Sequence, residues 1–223
     1  MFIQSASVGP WGTNCHVVAT KPGAECIVID PGLGALQEIN SITQENHLKP
    51  VAVLLTHGHI DHIWNLLPLC DDLGIPAVIH QMDKRLLKDP LMGVSKEAAE
   101  MVNQLSPGAV WREPAIVQTM NSETKISFAG FEIDVIPTPG HTAGSVCFLF
   151  NNDHLFTGDT LFAQGIGRTD LFSGSDSDMV QSLNLLVNRF DDNMSIYPGH
   201  GPNSSIGETK TINSYLQKLL DLR

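Results

Sequence analysis

An apolar run, Val51-Ala52-Val53-Leu54-Leu55-Thr56, passes directly into His57-Gly58-His59-Ile60-Asp61-His62. No other stretch of the chain constrains its fold so strongly. The run reads as a buried strand. Its end then has to deliver three imidazoles and a carboxylate to a shared polar edge, because groups of this kind are costly in a core unless paired. Imidazole nitrogen and carboxylate oxygen are the donors that suit zinc and first-row metals generally. His57 and His59, two residues apart on extended or turning backbone, face one side. Asp61 and His62 open a helix and approach from another angle. Four donors in six residues read as two neighbouring sites. With 9 His in 223 residues, such a pattern arises in roughly one shuffled chain per thousand.

Three later segments repeat the arrangement of apolar strand, glycine and ligand-type side chain. Gly140-His141 follows the strand Phe131–Pro137, Gly158-Asp159 follows His154–Phe156, and Gly199-His200 follows Ser195–Tyr197. Glycine permits a sharp turn and keeps bulk out of a site. His16, His47, His80 and His154 lack this context and read as structural. Asp30, in Val28-Ile29-Asp30-Pro31-Gly32, ends a further strand and is a candidate to accept the free N–H of a metal-binding imidazole. Arg168 has two readings, a bidentate contact to a substrate carboxylate or a salt bridge with Asp170.

Further strands are expected at Met1–Ser7, Cys15–Ala19, Cys26–Asp30, Ala77–His80, Lys125–Phe128 and Ser145–Phe150. Helical spacing predicts helices over Gly34–Asn46, Asp61–Leu73 with Pro68 as a kink, Ser95–Leu105 capped by Ser95, Ser177–Phe190 and Gly207–Leu222. The strands fall into two groups, each ending in a helix, which suggests two β-layers with helices outside. Asp83–Pro114 is the least regular stretch and a candidate flap over a site.

Hydrophobic residues at 42% and charged residues at 17% exclude a disordered chain. A net charge of −11 argues against nucleic acid as a partner. The 4 cysteines lack C-x-x-C spacing and read as small core residues. No basic and apolar leader opens the chain, and no apolar run approaches a membrane span, so a soluble cytoplasmic protein with no membrane partner is expected. The length suits one domain over residues 1–223.

With the H-x-H-x-D-H loop followed by His141, Asp159 and His200, the chain resembles the metallo-β-lactamase-fold hydrolase superfamily. The resemblance implies an α/β fold, a four-layer αβ/βα sandwich, with two divalent metal ions at one edge, zinc first and iron or manganese as alternatives. It implies that His57, His59 and His141 hold one ion, that Asp61, His62 and His200 hold the other, and that Asp159 bridges them. Asp61 is also the candidate catalytic residue, orienting a metal-bridging hydroxide. Within the superfamily, Pro137–Ser145 (PTPGHTAGS) and Gly167–Asp170 (GRTD) resemble short bacterial type II glyoxalase-like (hydroxyacylglutathione hydrolase-like) members. That likeness implies hydrolysis of small-molecule thioesters such as S-lactoylglutathione. The longer glyoxalases carry a C-terminal helical domain that contacts glutathione, and after His200 this chain has only Lys210, Lys218 and Arg223 as basic residues. True β-lactamases and nucleases of the superfamily are disfavoured by Asp159 and by the lack of a nucleic-acid element. The alternative activity is that of a mononuclear iron persulfide dioxygenase, using His57, His141 and Asp159. Oligomeric state has no sequence signal.

Overall fold

A computed structural model of the chain describes residues 1–122 and 124–221. Leu222, the expected end of the last helix, and Arg223 lie outside the described residues.

Two six-stranded sheets form the centre of the molecule. The first runs in sequence order: β1 (Phe2–Val8), β2 (Thr13–Ala19), β3 (Glu25–Ile29), β4 (Lys49–Leu54), β5 (Ala77–His80) and β6 (Val117–Met120). Its first two pairings are antiparallel and the rest parallel. The second sheet comprises β7 (Thr124–Phe128), β8 (Phe131–Pro137), β9 (Val146–Phe150), β10 (His154–Gly158), β11 (Ser195–Pro198) and β12 (Ser204–Ser205), again in sequence order. Only its β10–β11 pairing is parallel. The parallel pairs need crossovers, which helices supply. These are α1 (Ala35–Glu45), α2 (Ile60–Ile63), α3 (Leu66–Leu73) and α4 (Lys96–Leu105) on the first sheet, and α5 (Asp176–Arg189) on the second. α6 (Ile206–Ile212) and α7 (Ser214–Asp221) close the described chain.

The period-two geometry of a strand divides the core into layers. In β3, Cys26 and Val28 pack with Ile39 and Ile42 of α1 and Leu66 and Leu69 of α3. The intervening Ile27 and Ile29 join Phe131, Ile133, Phe148 and Phe156 between the sheets. Beyond the second sheet, Cys147, Leu149, Leu155 and Ile196 pack with Met179, Leu183 and Leu186 of α5 and Leu216 of α7. Three apolar interlayers separate four layers, helix–sheet–sheet–helix, as the resemblance implies.

Two expected helices are each broken in the structure. The segment Asp61–Leu73 forms α2 and α3, interrupted at Trp64-Asn65. Pro68 cannot donate to the Trp64 carbonyl and its ring excludes a helical turn there, so it sits in the first turn of a new helix. Asn65 N instead donates to Pro31 O at 2.9 Å. The final segment breaks at Asn213, whose Oδ1 accepts from Tyr215 N and Leu216 N at 3.1 Å and caps α7. Strands β6 and β12 were not expected. β6 (VQTM) is half-exposed and lacks apolar alternation, and its pairing to β5 draws it into the sheet.

Candidate metal centre

Strands β4, β8, β10 and β11 end at one edge of the sandwich. β8, β10 and β11 share a direction through the antiparallel β8–β9 and β9–β10 pairings and the parallel β10–β11 pairing. At this edge the sheets are joined by Val146 N donating to Thr56 O (2.9 Å) and Asn14 N donating to Gly199 O (2.7 Å). Each of the seven side chains singled out in the sequence arrives here.

They form two clusters. His141 Nε2 lies 2.7 Å from His59 Nδ1 and 3.2 Å from His57 Nε2. Asp61 Oδ2 lies 3.3 Å from both His62 Nε2 and His200 Nε2. Asp159 stands between them. Its Oδ2 is 3.5 Å from His141 Nε2 and 3.4 Å from His200 Nε2, and its Oδ1 is 3.4 Å from His62 Nε2. The fit to a cation is physical: His62 Nε2 and Asp159 Oδ1 are buried polar atoms with no hydrogen-bond partner, a costly state unless something binds them. Gly199 is required here, since a Cβ at this residue would lie 2.1 Å from Asp159 Oδ1 and 2.8 Å from His62 Cε1.

The opposite face of most of these rings is held by a second group. Asp30, expected in this role, accepts from His62 Nδ1 at 2.9 Å, which turns Nε2 toward the centre. Asp30 is itself fixed by Thr56 N and Thr56 Oγ1 and has a left-handed backbone, φ 53°, which aspartate tolerates better than most residues. His141 Nδ1 faces Arg168 O at 2.7 Å, His200 Nδ1 faces Trp11 O at 3.1 Å, and His57 Nδ1 faces Thr56 Oγ1 at 3.0 Å. Thr13 Oγ1 donates to Asp61 Oδ2 at 2.9 Å.

Electrostatics divide the two clusters. Burial, together with neighbouring imidazoles, holds His57 well below the ordinary value and His59 down to about 3, so both present neutral nitrogen. Burial opposes charge on His62 too, but Asp61, Asp159 and Asp30 together hold its pKa well above the ordinary imidazole value. For His200, hydrogen bonds to Asp159 and Asp61 outweigh burial and lift it to about 9.

One centre of order had no sequence signal. Asp83 is fully buried, and its Oδ2 accepts from Gly58 N (2.8 Å) and Thr142 Oγ1 (2.7 Å) while Oδ1 accepts from Gly144 N (3.0 Å). It clamps the loop of His57 and His59 to the loop of His141. Arg168, by contrast, pairs with Asp170, Nε to Oδ1 at 2.7 Å and a terminal nitrogen to Oδ2 at 2.8 Å. The centre opens into a cleft of about 300 Å³ walled by Trp11, Ile60, Phe162 and Leu171, with Gly93, Val94, Ser95 and Ala98 of the expected flap along one side. Among the described residues, no helix is long and apolar enough to cross a membrane.

The sequence profile of the Metallo-beta-lactamase superfamily matches residues 8–200. The chain belongs to this superfamily, whose members are typically metal-dependent hydrolases. An uncharacterized protein of Mycobacterium tuberculosis is 41% identical, with 98% of this chain and 99% of that one covered. Hydroxyacylglutathione hydrolase GloC of Haemophilus influenzae is 27% identical over 97% of this chain and 98% of its own. Among solved structures, BLEG-1 B3 metallo-beta-lactamase superposes with a TM-score of 0.84 at 30% identity, covering 96% of this chain and 99% of its own. TTHA1623 in a di-iron-bound form gives 0.76 at 29% identity, covering 96% and 100%.

Proposed function

We propose that this protein is a metal-dependent thioester hydrolase with two divalent cations, zinc first and iron or manganese as alternatives. His57, His59 and His141 are assigned to one ion, Asp61, His62 and His200 to the other, and Asp159 to both. The observation that carries this reading is the position of the Asp159 carboxylate, within 3.5 Å of donors from each cluster. An iron oxygenase that uses only His57, His141 and Asp159 leaves the Asp61–His62–His200 cluster without a task. Similarity to GloC along nearly the whole chain supports thioesters as substrates.

Two divalent cations supply water acidic enough to be hydroxide near neutral pH and a Lewis acid for a carbonyl oxygen. The chain supplies the rest. Asp61, at the cleft floor with Oδ2 engaged by Thr13, His62 and His200, orients the attacking water through its other oxygen. Asp30, the Arg168 carbonyl and the Trp11 carbonyl keep the imidazoles turned inward. Trp11, Ile60, Phe162 and Leu171 exclude bulk water and seat the acyl and thiol parts of a small molecule. The thiol departs as thiolate and needs no strong acid.

Elemental analysis of protein purified without chelator should find close to two metal equivalents per chain, and S-lactoylglutathione should be turned over faster than a β-lactam. A reproducible single equivalent, unchanged by added zinc or iron, overturns the two-ion assignment. Preferential opening of a β-lactam, the chemistry in BLEG-1's name, or iron-dependent oxygen uptake with a persulfide overturns the substrate assignment.

A further inference from the structure

His57 and His62 are assigned to different ions, yet their ring centroids lie 4.2 Å apart. Behind both rings stands one buried carboxylate, Asp30. It serves His62 directly, accepting from Nδ1 on Oδ2 at 2.9 Å. It reaches His57 through a hydroxyl: Thr56 Oγ1 donates to Asp30 Oδ2 at 2.6 Å and lies 3.0 Å from His57 Nδ1. A hydroxyl has one proton to give, and an ionised carboxylate only accepts. The Thr56 proton therefore goes to Asp30, and Thr56 Oγ1 accepts from His57 Nδ1. Thr56 is held in this orientation from two sides. Its N donates to Asp30 Oδ1 at 2.9 Å, and Gly158 packs so closely that a Cβ there would lie 2.5 Å from Thr56 Oγ1.

We infer that Asp30 sets the ring tautomer of one histidine at each ion, through Thr56 for His57 and directly for His62, so that one change at Asp30 weakens both ions. The inference rests on the two-ion reading above. Asp30 and Thr56 are positioning residues that act through the imidazoles. Asp30→Asn suits the left-handed backbone, φ 53°, because asparagine tolerates it too. It reverses the hydrogen-bond polarity, however. With the amide oxygen on Thr56 N, the amide nitrogen donates to Thr56 Oγ1 and His62 Nδ1. Thr56 then turns its own proton to His57 Nδ1. A neutral ring so engaged carries its proton on Nε2, the nitrogen that faces His141 in His57 and Asp61 in His62. The opposite amide orientation sets two N–H groups against each other at buried Thr56 N, which is costly.

Two measurements on the full chain test this. Zinc affinity is read by titrating metal-stripped protein against a chelating dye. The tautomer of His57 is read in the metal-stripped protein from long-range proton–nitrogen spectra. The unmodified chain should take up two zinc ions and show His57 protonated on Nδ1. Asp30→Asn should weaken both ions, each roughly tenfold to a hundredfold, and move the His57 proton to Nε2. Thr56→Val removes the hydroxyl alone and should weaken zinc binding roughly tenfold or more. Thr56→Ser keeps the hydroxyl and should bind zinc as the unmodified chain does. The two Thr56 variants carry the test if Asp30→Asn misfolds. Native affinity for both ions in Thr56→Val, or a His57 proton still on Nδ1 in Asp30→Asn, overturns the inference while the two-ion reading stands. Uptake of a single ion by the unmodified chain overturns both.

Discussion

At the scale of single residues, the centre separates side chains that touch the reacting groups from those that hold them in place. The Asp159 carboxylate lies within 3.5 Å of donors from both clusters, so on the two-ion reading Asp159→Ala leaves two sets of donors with no common anion. Activity should fall by more than about a hundredfold, the loss that even supporting partners of a metal site produce. His154, also on β10 but paired with Tyr197 at 3.1 Å on the far side, is the control, and His154→Ala should change kcat/KM little. Equal effects of the two would mean that the donors are misassigned. Asp83 acts through backbone and a hydroxyl. Asp83→Asn keeps the volume but presents an N–H where Gly144 N or Gly58 N needs an acceptor. Chelator competition should report one of two cations bound roughly tenfold to a hundredfold more weakly. An unchanged affinity for both would remove Asp83 from the positioning of the His57, His59 and His141 loops.

At the scale of elements, α6 and α7 connect the end of the chain to the cleft. The break at Asn213 caps α7, and the Asn213 side-chain nitrogen donates to Phe162 O (3.2 Å) and Gly165 O (2.9 Å). Phe162 in turn packs edge-on against His200, with ring centroids 5.8 Å apart. Asn213→Ala removes the cap and leaves two carbonyls short of a donor, at a cost of about 1–3 kcal/mol. Calorimetry should show a melting point lower by roughly 3 °C or more, and KM should rise because Phe162 loses its support. A variant with native melting and native KM would make the α6–α7 junction irrelevant to the cleft.

At the scale of the whole molecule, a titratable group lies buried in the sandwich apart from the two donor clusters. His16 on β2 accepts or donates at Ser5 Oγ (2.7 Å) and packs against Phe156, and burial lowers its pKa from 6.5 to about 4. The fold needs His16 neutral, whereas the unfolded chain takes up a proton near 6.5. Stability is therefore present above that pH and is lost as pH falls from about 6.5 towards 4, by roughly 3 kcal/mol. His16→Gln keeps a hydrogen-bonding amide without the titration, so denaturant melts of the two proteins should diverge below pH 6.5, with the unmodified chain losing stability faster. Parallel curves would place the acid sensitivity elsewhere.

What the amino-acid sequence determined by itself was local and repetitive. Apolar runs rich in β-branched and aromatic residues and bounded by Gly, Pro, Asn and Asp set most strands, and strand–glycine–ligand repeats marked the residues that meet at one edge, because glycine, imidazole and carboxylate have few other reasons to recur at strand ends. Asp30 was legible for the same reason. The tertiary structure decided the rest. β6 is a strand only because β5 offers it a parallel edge, and one helical pattern became two helices at Asn213 because that side chain is needed elsewhere. Asp83 carries no local signature at all: its three partners lie 25, 59 and 61 residues away. Arg168 had two readings in the sequence, and only the geometry of the loop joined it to Asp170. Contacts between distant segments depend on how the two sheets are set face to face, and pairwise geometry of that kind is written in no single stretch of the chain.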